Sequence, residues 1–477
     1  MYSLFETEFG EQISSKNSIV APASANSYII SSIAKRRSVL VVAPNARIAE
    51  KLQNELKFFN LNVLHFPAWE TLPHEKLLPS SETIAKRVNT LNQLRNAKHA
   101  VVIAPIRSAI HEFSKSLAAD EPLSISRGDK LDIYEFAKAL VDLSFERTDL
   151  VENRGQFAIR GGIIDLFPSQ LEHPIRIDLF DDEIESIHNF TVADQRSLTE
   201  VIEKIEILPC KEIPGNDLGH LISDRMPTGF ATIFIEHDRC VGRVEDLLAT
   251  DEEFKNAAWS NAAVGGIAPS NEETSKYLAL SELEVRSPEI FDLKPYGNDL
   301  SGDLFLEIEP VPNFNGKFEE LVTYLKSKKA VFIANSIGTF ERYQTMFRDL
   351  GEEIAIELQP LENGFITKSF ALVTESDFTG ITASVSEKLP SKRKKRIDPL
   401  ELNAGDFVVH EQHGIGIYVE LIKRTVGGIE REYLVIEYAP AKRGQPGDRI
   451  YVPTDSLDVI SKYVGGEKPN INRIGSG

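Results

Sequence analysis

The chain has 477 residues, 42% of them hydrophobic and 26% charged, the balance of an ordinary globular protein too long for a single core. No apolar run approaches the roughly 20 residues a membrane span needs, and MYSLFETEFGEQ lacks the basic and apolar stretches of a secretory signal, so a cytoplasmic location without a membrane partner is expected. The net charge of −19 speaks against an autonomous DNA binder, which draws affinity from a basic surface, and suits basic protein partners.

The first stretch alternates β and α. Ser38–Ala43 (SVLVVA) is a continuous apolar run, as in a strand covered on both faces. Ala49, Leu52, Leu56 and Phe59 recur by threes and fours, which predicts an amphipathic helix. Asn62–Phe66 reads as a second strand, the Ile84, Val88, Leu91 and Leu94 stripe as a second helix, and Ala100–Ala104 as a third strand. This order implies right-handed crossovers and a parallel sheet of nucleotide-hydrolase type over 1–120. From 121 to 205, short alternating runs broken by Gly-Gly, Pro and Asp predict a small, mostly antiparallel insert. The apolar strand type returns at Gly229–Glu236, so the α/β domain resumes over 206–310.

A second α/β domain is expected over 311–388, with helices around Phe318–Leu325 and Phe340–Leu350 and a strand at Ala330–Ala334. Its role is not legible. Residues 389–402 read as a linker, whose basic run Lys392–Arg396 is either a solvated tether or a contact for nucleic acid or a partner. Beyond it, residues 403–470 are β again, with turns expected at Gly414, Gly416 and Gly427-Gly428, and a small barrel fits. The fold class is therefore multidomain α/β, ending in a small β-barrel.

Several chemistries lack their residues. There is no GxxxxGK[ST], H-E-x-x-H, CxxC pair or G-x-S-x-G. His410 and His413 stand without further ligands and read as turn packing, so no metal is expected. Cys210 and Cys240 read as buried or inert thiols.

The segment 153–196 is more informative. RGQFAIRGGIIDLFP, IRIDLFDDEIESI and DQRSL resemble, almost continuously, the inserted domain shared by UvrB and the transcription-repair coupling factors. FPAWETLPHEKLLPSSETIAKR (66–87) resembles the coupling factors rather than UvrB, and the resemblance covers nearly the whole chain. Read from the residues alone, Ile175, Ile177 and Leu179 face a core, while Arg176, Asp178 and Phe180 face away from it. Arg160 faces out if Ile159 faces in. An exposed aromatic with a nearby arginine has the composition of an interaction hot spot. The blander reading pairs Arg176 with the acidic run Asp181–Glu185. The resemblance implies that this domain binds UvrA and that Arg160, Arg176 and Phe180 match positions in that contact.

The same resemblance aligns Val20–Ser27 (VAPASANS) with a phosphate-binding loop of the form GxTGSGKT. Ala23 and Ala25 stand for glycines, Asn26 for the lysine, and only Ser27 keeps a hydroxyl, so a degenerate nucleotide fold that holds neither ATP nor magnesium is expected. GDFVVHEQHGIGIYVELIKRTVGGIEREYLVIEYA with DRIYVPTDSLDVISKYVGG resembles the RNA-polymerase-interacting domain of the coupling factors and the CarD-like regulators. That family docks on the polymerase β subunit partly by pairing strand edges. Leu421–Val426 is the candidate edge, with Ile422 and Val426 for apolar contact and Lys423 and Arg424 for charge. A plain hairpin without a partner is the alternative, and Pro440–Gly447 looks longer than the family's usual loop.

The implied function is an adaptor for nucleotide excision repair that joins UvrA to RNA polymerase. The chain stops at GGEKPNINRIGSG, where the family continues into a helicase-type ATPase motor. No enzymatic activity, a monomer, and DNA contact mainly through that motor are thus expected. Two other readings are kept: a UvrB-like ATP-dependent repair enzyme, which needs the loop lysine, and a CarD-like regulator acting through 403–470 alone.

Overall fold

The computed structural model describes residues 1–14, 17–71, 79–115, 117, 122–193, 195–212, 217–263, 276–297, 302–327, 329–351, 354–380, 402, 404–410, 414–426, 429–439, 449–453 and 460–462. The side chains at 199, 254–263, 410, 414, 424–433, 450–453 and 460–462 are outside that description. The chain divides into two compact units: Met1–Ala68, Ser81–Val244 and Ser275–Val385 make the first, and Trp69–Ser80, Glu245–Thr274 and Ser386–Gly477 the second.

In the first unit, seven strands form a sheet in the order Leu304–Phe305, Ser18–Val20, Ile290–Lys294, Ala231–Ile235, Val39–Ala43, Val101–Pro105, Val63–His65. Every neighbouring pair is parallel, as the alternation of strand and helix predicts. Val39–Ala43, Val101–Pro105 and Ala231–Ile235 are buried along their whole length, which explains their unbroken apolar runs. The helix Ala46–Lys57 is capped by the Asn45 side chain, which accepts from Ile48 N–H, and it buries Ala49, Leu52 and Leu56.

The helix Tyr2–Ile13 carries a signal that had served only to exclude a secretory leader. Phe5, Phe9 and Ile13, each four apart, line its buried face. It lies in a core shared with one face of a second sheet, that of the α/β domain expected over 311–388, whose other face packs Phe332 and Val373 with Leu321, Leu325, Tyr343 and Phe347 in a separate core. That sheet runs Glu309–Pro310, Phe365–Ile366, Ala371–Thr374, Ala330–Ala334, Ile356–Leu358 and is mixed in direction. Val331, Ile333, Phe365, Phe370 and Leu372 from it pack into one cluster with Phe5, Tyr28 and Val39. The Tyr28 ring lies 5.0 Å from Phe59 and 5.0 Å from Phe365, and its hydroxyl donates to Gln359 Oε1 at 2.9 Å.

The insert has a six-stranded sheet in the order Ser197–Val201, Glu183–Phe190, Ile175–Phe180, Ile163–Leu166, Gln156–Arg160, Glu146–Arg147. All its pairs are antiparallel except the last, which is parallel. Leu123–Ser126 pairs with Lys204–Ile207 to close the fold, and Cys210 belongs to the same core, so the insert runs past the expected boundary at 205. Its exit is pinned by an ion pair. Arg87, with no exposed side-chain surface, donates to Glu212 Oε2 at 3.2 Å and to the Pro67 carbonyl at 3.0 Å, and stacks over Phe66 at 4.0 Å.

In the second unit, five antiparallel strands pair in the order Arg449–Pro453, Ile429–Glu437, Gly414–Val426, Phe407–His410, Ile460–Lys462. Among the described residues no ladder joins the outer two into the expected barrel. Gly414 opens a strand, paired with His410, while Gly416 lies inside that strand and not at a turn. A Cβ on Gly416 would sit 2.6 Å from Ile436 Cγ2, so glycine is there for close approach. Residues 392–396, 411–413, 427–428 and 440–447 lie outside the described residues, and with them the basic run, His413, the Gly-Gly turn and the long loop.

Among the described residues no helix is long and apolar enough to cross a membrane, and no His, Cys, Asp and Glu group could hold a metal. Both cysteines are buried, and burial pushes the Cys210 thiol up to about 11 and the Cys240 thiol up to about 12.

Candidate protein-interaction sites

Two tight hairpins build the face of the insert. Arg160 pairs with Ile163 across Gly161-Gly162, and Phe180 with Glu183 across Asp181-Asp182. Gly161 has φ +61° and Asp181 φ +60°, the left-handed conformation that two-residue loops of this kind require. Ile163 also pairs with Asp178, so both turns lie at one end of the sheet. The row Arg160, Ile163, Asp178 crosses three strands there, and Phe180 stands two residues further along.

Exposure divides the three expected site residues. Phe180 is 77% exposed and the Arg160 side chain 48%. Ile175 and Ile177 are fully buried on the opposite face, as the alternation predicts. The Arg176 side chain is only 17% exposed. Its Nε donates to Asp165 Oδ1 at 2.7 Å, its Nη2 to Oδ2 at 3.0 Å, and its Nη1 to the Gln195 carbonyl at 3.1 Å. The guanidinium lies 4.9 Å over the Phe190 ring, and the Asp165 hydrogen bonds raise its pKa above the usual arginine value. Arg160 Nη2 reaches the same Asp165, which has no exposed side-chain surface.

Arg176 therefore pairs with Asp165, not with Asp181–Glu185. It is a clamp inside the sheet, and what the surface displays is Phe180, Arg160 and Ile163, itself 38% exposed. Asp165 and Ile163 were missed. The signal for Asp165 is a lone carboxylate in the apolar run IIDLF, which marks a buried charge with a partner.

The VAPASANS segment runs from strand Ser18–Val20 through a 3-10 turn, Ala23–Ala25, into helix Asn26–Ala34. Ala25 and Ser27 are buried. Glu55, on the neighbouring helix, is also buried, and Ser27 acts on its carboxyl. Burial outweighs the pull of Lys51 and Ser27 and pushes Glu55 up to about 7. The cation nearest this carboxyl is Lys51, one turn earlier on the same helix, 3.9 Å from Glu55 Oε1.

In the second unit, strand Gly414–Val426 pairs with Phe407–His410 only over Gly414–Ile417, and with Ile429–Glu437 over Ile417–Val426. One edge of Leu421–Val426 thus faces no described strand. Ile422 is half-buried and Lys423 exposed, while the side chains of Arg424 and Val426 lie outside the description.

Known families match both places. Residues 123–212 match the model described as the UvrB interaction domain, and residues 402–464 that of the CarD-like/TRCF RID domain. Transcription-repair-coupling factors from Mycobacterium bovis, Escherichia coli and Bacillus subtilis are 32%, 27% and 26% identical to the chain, over 96%, 93% and 95% of its length.

The chain is homologous to the transcription-repair-coupling factors. It spans a little under half of those relatives: 45%, 44% and 45% of their respective lengths. The coupling-factor homology covers both sheets of the first unit as well as the two matched domains, so neither UvrB alone nor a CarD-like regulator accounts for the whole sequence.

Proposed function

We propose that this chain is an adaptor of transcription-coupled nucleotide excision repair, binding UvrA through the insert and the RNA polymerase β subunit through the strand edge at Leu421–Val426. The observation that carries the reading is the Phe180, Arg160 and Ile163 face. It is an aromatic, a cation and an aliphatic at one sheet end, held by a buried Asp165–Arg176 clamp, and exposed rigid aromatics beside arginine dominate binding hot spots. The edge of Leu421–Val426 that faces no described strand supports the second contact, since main-chain pairing at an edge gives affinity without deep pockets. The degenerate loop is proposed to bind no nucleotide, because Ala23, Ala25 and Asn26 remove the close approach and the charge that phosphate needs.

The test is a paired capture by the full chain of purified UvrA and of the polymerase β subunit. Phe180→Ala should weaken UvrA capture at least ten-fold and leave β-subunit capture intact. Ile422→Asp should do the reverse, and ATP should change neither. Unchanged UvrA capture by Phe180→Ala together with Arg160→Ala would remove the insert from the contact. Arg176 is a poor probe, because replacing it strands the buried Asp165 and damages the domain itself.

A further inference from the structure

In the second sheet of the first unit, strand Ile356–Leu358 is last in the order, paired with Ala330–Ala334 on one side and facing no described strand on the other. The parallel register fixes which main-chain groups this leaves open. Phe332 N–H donates to the Ala355 carbonyl and Gln359 N–H to the Ala334 carbonyl, each at 2.9 Å. Glu357, between them, turns its own main-chain groups toward the same neighbour, so the N–H and C=O of Ile356 and Leu358 point outward.

Beside this edge runs helix Ile337–Asp349, and between the two opens a cleft of about 590 Å³. Phe340, Gln344 and Arg348 form its helical wall at intervals of four, with Phe347, Ile354 and Ile356 as the apolar floor. Leu358 shares a strand face with Ile356 and is 48% exposed. Among the described residues that line the cleft, Arg348 alone is charged. Glu357 points to the other face of the strand, where its Oε2 accepts from Gln359 Nε2 at 2.6 Å. A free edge flanked by a helix wall lets an extended peptide add a strand, with alternate side chains lodged between edge and helix.

We propose that this groove binds an extended peptide segment of a partner protein, apolar at alternate positions and carrying an acidic residue opposite Arg348. Main-chain pairing with Ile356 and Leu358 holds the segment, Phe340, Phe347 and Ile356 take the apolar side chains, and Arg348 sets the charge. The helical wall from Phe340 to Arg348 is roughly 12 Å long at 1.5 Å per residue, room for three or four extended residues.

The experiment uses the full chain and fluorescein-labelled hexapeptides of alternating threonine and valine, one ending in aspartate and one in lysine, read by fluorescence anisotropy. The aspartate peptide should bind saturably. Arg348→Glu should weaken it at least ten-fold and favour the lysine peptide instead. Leu358→Pro removes an outward N–H without touching the ladder to Ala330–Ala334 and should also abolish binding. Methylating alternate peptide amides should do the same. Absence of saturable binding to the unaltered chain, or binding indifferent to both variants, would overturn the proposal. So would a self-associating chain that Leu358→Pro renders monomeric, since that would assign the edge to a second copy.

Discussion

With Asp165 fully buried between Arg160 and Arg176, its carboxylate is the anion that both guanidinium groups need. Removing one partner of a buried pair leaves an uncompensated charge, a loss of about 3 kcal/mol or more. Asp165→Asn should therefore lower the urea stability of the insert by about that amount, whereas Phe180→Ala, at an exposed position, should stay within about 0.5 kcal/mol. Equal losses in the two variants would mean that Phe180 is structural. The outward positions of Arg160 and Phe180 were legible in the sequence because a strand alternates faces. The clamp was not, because alternation places every charge of a half-buried strand outside. The lone carboxylate in IIDLF marks a buried charge, but its partner is named only by the cross-strand register, Asp165 opposite Arg176. That register belongs to two strands joined through 167–174, whereas the Gly161-Gly162 and Asp181-Asp182 turns set the hairpins on either side of them, and the periodicity of a single strand reports none of these pairings.

At the scale of elements, the strand, turn and helix at Ser18–Ala34 keep the order of a phosphate-binding loop while the neighbouring helix presents Glu55. The acid is buried and its pKa rises from 4.5 to about 7, so the folded state disfavours its charged form. A carboxyl raised on folding gives stability that is complete below its unfolded value and lost as pH rises through the folded one. The chain should thus lose stability between about pH 4.5 and pH 7 through Glu55, by about 3 kcal/mol at 1.36 kcal/mol per pKa unit. Glu55→Gln should flatten that slope and be the more stable protein at pH 8. A pH profile of the thermal midpoint that is the same for both proteins would show that Glu55 does not titrate. The apolar strands and amphipathic helices were readable because burial on one or both faces writes its own period. Gly416 was misread as a turn residue, since a glycine that admits a neighbouring side chain looks the same in sequence as one that bends the chain.

Across the first unit, the helix Tyr2–Ile13, the parallel sheet and the mixed sheet share one cluster of buried side chains. Sequence reading separated 1–310 from 311–388 because each stretch has its own strand and helix period, and periodicity says which face is buried but not against what. Tyr28 is the test of the join. Its ring touches Phe5 and Phe59 from the first part and Phe365 from the second, and Gln359 accepts its hydroxyl proton. Truncating a buried aromatic of this size costs about 3–5 kcal/mol. If the core is one cooperative structure, Tyr28→Ala should lower hydrogen-exchange protection in Val39–Ala43 and in Ala371–Thr374 by the same free energy, since both amide sets then open in one event. Protection lost only in Ala371–Thr374 would mean that the mixed sheet opens alone and the shared cluster is a contact between two independent domains. A joint loss would make the sheet that carries the Ile356–Leu358 edge part of the same rigid body as the parallel sheet, so a peptide seated in that groove would be held on a fixed platform.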